Sequence, residues 1–214
     1  MPPSSNPRST RSASAARPAP GGAAAVGVLE PFPRLLPWVL LVGGVIGLIA
    51  SGVLLVEKIA MLRDSAYVPS CSLNPVLSCG SVMTKPQAEV FGFPNPLLGV
   101  AGFAVATVGA GLLAGAGFRR WFWWGLQAGA TFGVVFVHWL MFQSLYRIHA
   151  LCPYCMAVWT VTIPIFWYTT LHNLRTTRVA RTPTKYHGAV LTTWAVVVLT
   201  LIGEQFWSYW KTLL

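Results

Sequence analysis

Two short stretches hold the side chains most able to do chemistry. In CSLNPVLSC, Cys71 and Cys79 enclose seven residues; in CPYC, Cys152 and Cys155 enclose two. Paired sulfur supports four readings: a redox dithiol, a metal site, a structural bridge, or thiols buried as small hydrophobes. Thiolate metal sites usually space their cysteines two to four residues apart, which CPYC satisfies and the first pair does not, so no metal is expected. The Asn74–Pro75 pair favours a turn that lets the first loop close, and a disulfide there would contribute roughly 2–3 kcal/mol on the chain-entropy model. CPYC reads as the first turn of a helix. Cys152 falls at or near the N-cap, Pro153 sits where its missing N–H costs nothing, and Cys155 lies one turn deeper. Free amide hydrogens and the positive end of the helix dipole favour a thiolate at Cys152, leaving Cys155 as the more buried sulfur.

The elements that must position these sulfurs are membrane helices. The chain is 55% hydrophobic and only 9% charged, with a mean hydropathy of +0.60, far from the balance of a soluble domain. Five windows of about 20 residues run almost without charge, enough to cross hydrocarbon: approximately 35–56, 94–118, 121–146, 150–171 and 189–210. The first exceeds a signal-peptide core and lacks a small-residue cleavage site, so it is expected to stay as a helix. The Pro/Ala/Ser/Gly-rich tail before it cannot bury enough apolar surface to fold and is expected to be disordered.

Ten of the fifteen Lys and Arg residues share one side of these spans. Arg8, Arg11, Arg17 and Arg34 precede the first, Arg119 and Arg120 lie between the second and third, and Arg175, Arg178, Arg181 and Lys185 lie between the fourth and fifth. By the positive-inside rule that side is the cytoplasm, which accounts for the net charge of +10 without nucleic acid. The expected layout is a cytoplasmic tail at 1–33, a four-helix bundle at 34–173 with an external loop at 57–93, a basic cytoplasmic loop at 174–188, and a fifth transmembrane helix at 189–214. All four cysteines then face the external side of the cell membrane, where disulfides persist.

Gly125, Gly129 and Gly133 share one face of the third span, and Gly43 and Gly47 one face of the first. Such faces let neighbouring backbones approach, and they predict a central third span. Trp38, Trp121, Trp123, Trp124, Trp167, Trp207 and Trp210 lie near span ends and read as interfacial anchors. In the external loop, Thr84 and Gln87 form a capping box with Pro86 in the first turn, predicting a short surface helix carrying Ala88, Val90, Phe91 and Phe93. Among other polar groups, His138 is an ionisable residue within a span and a candidate ligand contact. Arg147 and His149 precede the CPYC turn, and Glu204 is isolated in the fifth span.

Two dithiols in series fit these features best. A soluble protein can reach the loop pair, and a lipid-soluble acceptor can take two electrons from Cys155 at the membrane surface. A quinone meets that demand. The combination of CSLNPVLSC, GFPNPLLG and CPYC at the head of a membrane helix resembles the vitamin K epoxide reductase family, particularly its bacterial five-helix members, over approximately residues 36–172. The resemblance implies an all-α polytopic fold: a four-helix catalytic bundle around a quinone, menaquinone or ubiquinone, plus a fifth helix. It implies a quinone-dependent thiol oxidoreductase that generates disulfides in exported proteins. Cys71 and Cys79 match the shuttle pair, Cys152 receives the exchange from Cys79, and Cys155 faces the quinone. Asn95 matches an asparagine that hydrogen-bonds a quinone carbonyl. Trp159 stands where the vertebrate enzymes carry a tyrosine and can only donate a hydrogen bond. Bacterial relatives often continue into a thioredoxin-like domain; this chain ends at Leu214, so a separate thioredoxin-fold partner is expected. Vitamin K quinone or epoxide reduction by the same residues, a disulfide-braced scaffold, and a metal-binding or transport protein remain as alternatives.

Overall fold

The computed structural model describes residues 32–175 and 186–211. The expected tail as far as residue 31, the part of the basic loop holding Arg178, Arg181 and Lys185, and residues 212–214 lie outside them. Among the described residues the regular elements are helices: α1 (Phe32–Arg63), α2 (Cys79–Met83), α3 (Pro96–Phe103), α4 (Ala106–Leu113), α5 (Arg120–Gln143), α6 (Pro153–Leu174), α7 (His187–Gln205) and α8 (Trp207–Trp210). A 3-10 turn, Pro86–Glu89, precedes α3, and a π-helical turn, Ser144–Ile148, continues α5.

Among the described residues, four segments are long and apolar enough to cross a membrane: Leu35–Arg63, Pro96–Leu113, Arg120–Ile148 and Gly188–Gln205. The protein is an all-α, multi-pass membrane protein. The expected fourth span, α6, has 22 residues but carries Trp167, Tyr168, Thr169 and Thr170 in its second half together with Pro164. It can hold these because it is wedged between α1 and α5 and buries Trp159, Val161, Thr162, Ile163, Ile165, Tyr168, Thr169 and Leu171. Thr162 and Thr169 satisfy their hydroxyls by donating to the carbonyls of Val158 and Ile165 one turn back, 2.7 Å each. The central helix is therefore α6, not the third span.

The second span differs from expectation in being broken and shorter. Its axis interrupts at Ala104 and Val105, where tight bonds from Val105 N–H to Gly102 O (3.3 Å) and from Thr107 N–H to Ala104 O (3.0 Å) replace the regular ladder. Glycines explain where it lies. A side-chain carbon at Gly44 of α1 would come within 2.7 Å of the Ala106 backbone nitrogen. One at Gly109 of α4 would overlap Leu41 of α1, and one at Gly47 would overlap the Phe103 ring. The small-residue face of α1 thus does seat close neighbours, as its spacing suggests. The α5 glycines do not: Gly125 and Gly129 have nothing within 4 Å, and Gly133 meets only Thr162.

Helix α1 outruns its predicted span. Its 32 residues extend about 48 Å, against roughly 30 Å of hydrocarbon, and its later turns bring Glu57 and Lys58 under the loop that carries the first cysteine pair. Helix α7 packs on the rest along one side: Leu191 meets the main core near its start, and Ile202 and Phe206 near its end join Val76, Val137, Met141, Leu145, Leu151 and Trp159. Trp123 belongs to the interior and stacks on His172 at 3.9 Å between ring centroids, whereas Trp38, Trp121, Trp124 and Trp207 are exposed as anchors should be.

The glycine contacts make a paired prediction. Gly44→Val should destabilise the detergent-solubilised protein by about 1–3 kcal/mol through overpacking, whereas Gly52→Ala, which meets nothing within 4 Å, should leave thermal unfolding unchanged; parallel melting curves check both.

Candidate active site

The loop between α1 and α3 is built so that both cysteine pairs meet. Asn74 begins a tight turn in which its Oδ1 accepts from Val76 N–H (3.0 Å) and Leu77 N–H (2.7 Å). The strand-like segment that follows pairs with the approach to α6: Leu151 N–H donates to Val76 O (2.7 Å) and Ser78 N–H to Leu151 O (2.9 Å). Ser78 then caps α2, its hydroxyl accepting from Ser81 N–H at 3.2 Å. On the other side the chain turns out of α5 through the π turn and His149, which adopts the left-handed conformation at φ 55°. Cys79 opens α2 and Cys152 caps α6, so backbone pairing one residue before each sets two sulfurs side by side.

Cys71 and Cys79 form a disulfide, and Cys152 and Cys155 are free thiols. Cys79 Sγ lies 3.1 Å from Cys152 Sγ, and neither residue is exposed at all. Cys152 is the N-cap foreseen from the sequence. Its sulfur accepts from Cys155 N–H at 3.4 Å, and Pro153 follows in the first turn. The sulfurs of Cys71, Cys79 and Cys152 all fall within 4.8 Å of one another. Cys155, expected to be the more buried sulfur of its pair, is instead only partly buried, because its side chain opens onto a cavity, whereas Cys152 is fully enclosed.

That cavity has a volume of about 560 Å3 and is overwhelmingly apolar, within the size range of small-molecule sites. It runs along α6 from Cys155 to Ile165, about 15 Å by the helical rise. Its opposite wall is α5, where Gly125, Gly129 and Gly133 leave room instead of contacts. Ser51 and Leu54 of α1, Leu98 and Phe103 of α3, and Gln87 and Ala88 of the 3-10 turn complete it. Asn95 and Trp159 both line it. The Asn95 amide is already engaged in shaping the loop: Nδ2 donates to Gln87 O at 2.7 Å and Oδ1 accepts from Val90 N–H at 3.3 Å. One amide hydrogen remains for a ligand.

The capping box expected at Thr84 and Gln87 does not form. Thr84 ends α2, with its hydroxyl donating back to Gly80 O at 3.0 Å, and only the 3-10 turn follows. Phe91 instead packs on Phe136 of α5 at 5.7 Å between centroids. His138 is not brought to the cavity. Its Nδ1 lies 2.8 Å from Val134 O and its Nε2 accepts from Trp194 Nε1 at 3.0 Å, which joins α5 to α7; an imidazole with both nitrogens bonded has no need of a ligand. Arg147, His149 and Glu204 are exposed.

Several polar residues at the site carry little signal in the sequence. Glu57 and Lys58 are buried beside the cysteines, yet in the chain they are simply charges after a long apolar run. Lys58 Nζ donates to Met83 O (2.7 Å) and pairs with Glu89 Oε1 (2.8 Å), holding the 3-10 turn against α1. Gln87 and Gln143 line the cavity, each with a buried side-chain oxygen that has no partner.

A disulfide in van der Waals contact with a free thiol, next to a second thiol on an apolar cavity, is an arrangement for thiol–disulfide exchange. No curated protein sequence matches the chain. The model of the vitamin K epoxide reductase family matches residues 38–170, well over half of the chain. That span takes in all four cysteines and the helices that wall the cavity, and the chain belongs to the vitamin K epoxide reductase family of membrane thiol oxidoreductases.

Proposed function

We infer that this protein passes electrons from a thioredoxin-fold dithiol protein to a membrane quinone and so generates disulfides in exported proteins. The observation that carries the reading is the 3.1 Å approach of Cys79 to Cys152 with Cys155 on the cavity wall. The donor's thiolate attacks the loop disulfide, and its second thiol releases it as a disulfide while Cys71 and Cys79 are left reduced. Cys79 then attacks the oxidised inner pair at Cys152, freeing Cys155; Cys71 resolves the Cys79–Cys152 bond. The loop ends as a disulfide and the inner pair as a dithiol, the redox pattern seen here. The inner dithiol gives two electrons and two protons to the quinone, closing again to a disulfide.

Docking of a protein at the loop is supported by exposed Val68 and Leu73, which flank Cys71. Quinone in the cavity is supported by its apolar lining and length and by Asn95, whose remaining amide hydrogen suits a carbonyl oxygen. Trp159 belongs to the same wall and bounds the ring near Cys155. Menaquinone and ubiquinone both fit this description. The cysteines face the external side and the N-terminus the cytoplasm, a reading supported by the gathering of Lys and Arg on one side of the spans. The 3.1 Å approach of Cys79 to Cys152 favours exchange between the pairs over a scaffold braced by two fixed bridges.

Quinone reduction by purified protein with a dithiol donor tests the scheme. Cys155→Ala should lose activity by at least a hundredfold; turnover at the wild-type rate would refute it. Cys71→Ala should retain turnover with a small dithiol but lose it with a thioredoxin-fold donor, whereas equal loss with both would remove the shuttle role. In intact cells, single cysteines placed at the exposed positions Val68 and His149 of a cysteine-free variant, one beside each pair, should be labelled by a membrane-impermeant thiol reagent only from outside.

A further inference from the structure

Glu57 is a buried carboxylate for which the relay so far has no use. The residue is 5% exposed. Oε1 accepts from the Ser70 N–H at 3.2 Å and from the Ser70 hydroxyl, and Oε2 lies 3.4 Å from Cys71 Sγ. Its neighbour Lys58 is turned away to Met83 O and Glu89, and no cation pairs with Glu57 among the described residues. Burying an unpaired carboxylate is unfavourable unless something donates to it. A disulfide sulfur has no hydrogen, so Cys71 can satisfy Oε2 only after the loop pair is reduced.

Internal exchange also needs a proton acceptor at this place. Cys71 must lose its proton before it can attack, because the thiolate is the nucleophile and a free thiol is mostly protonated at neutral pH. We propose that Glu57 takes the proton from Cys71 as the loop disulfide forms, a role that rests on the relay reading above. In this step the Cys71 S–H proton passes to Oε2, and Cys71 attacks Cys79 Sγ of the Cys79–Cys152 bond. The Cys71–Cys79 bond forms, the Cys79–Cys152 bond breaks, and its electron pair leaves on Cys152. Negative charge thus moves from Glu57 to Cys152, where the Cys155 N–H meets it. The exposed Ser70, hydrogen-bonded to the carboxylate, connects it to water and gives the proton an exit. The other titratable groups about this cluster are Cys79, Cys152, Cys155 and Tyr154, with Lys58 and Glu89 paired beside it.

The experiment uses the purified full chain, fully oxidised, mixed with one equivalent of dithiothreitol over a range of pH, acid-quenched, and mapped for disulfides by mass spectrometry. Decay of the Cys79–Cys152 adduct is unimolecular, so the donor's own ionisation does not enter. Wild type should decay at a rate nearly independent of pH. Glu57→Gln should accumulate the adduct near neutrality, with decay rising about tenfold per pH unit until it approaches wild type near the ordinary thiol pKa of about 8.5. That alkaline recovery also shows that the variant is folded. A Glu57→Gln profile identical to wild type, or one lowered equally at every pH, would overturn the proposal, the latter by showing a merely structural role. The assay reads sulfur bonds alone, so loss of quinone reduction in wild type would count against the terminal step and not against Glu57.

Discussion

The site depends on a few backbone hydrogen bonds between segments more than seventy residues apart. Val76, Leu77 and Ser78 pair with Leu151, and this pairing decides that Cys79 meets Cys152. Neither segment belongs to a sheet, so the pairing is held by what flanks it. On one side the Asn74 side chain closes the turn; on the other the π turn and left-handed His149 bring the chain round from α5. A left-handed residue other than glycine is disfavoured and persists where the surroundings determine it. Here the surroundings are Leu145, Leu151 and Trp159 packed with Ile202 and Phe206 of α7. The peripheral fifth helix thereby braces the junction that aligns the sulfurs.

A second constraint is how the bundle makes room without falling open. Helices α1, α3, α4 and α6 approach closely through Gly43, Gly44, Gly47 and Gly109, and dispersion contacts between them supply cohesion that lipid cannot. The same residue type on α5 does the reverse, since Gly125, Gly129 and Gly133 border empty space. Close packing on one side of α6 and a cavity on the other let a single helix act as structural axis and as active-site wall.

Much of this was legible in the chain. Length and hydropathy locate the long helices because a membrane makes both demands directly. CPYC announces a helix start because Cys152 and Pro153 each suit the position they take. The pairing of the cysteines in space came from resemblance, since no local rule brings residue 79 to residue 152. The α5 glycines were misassigned for a simple reason: a close neighbour and a cavity both require missing side chains, and spacing alone does not distinguish them. Thr84 fits a capping box in letters, but its hydroxyl finds the Gly80 carbonyl first. His138 looked like a ligand because it is ionisable within a span, yet Trp194, fifty-six residues on, satisfies it. Glu57 escaped notice because a charge at the end of an apolar run ordinarily meets water.

Three of the four sulfurs are withdrawn from solvent, and the fourth opens only on an apolar chamber. Sulfur oxidised beyond the disulfide level, to sulfinic or sulfonic acid, does not return. Peroxide arriving in water finds almost no exposed sulfur to attack, so burial shelters these thiols from irreversible damage.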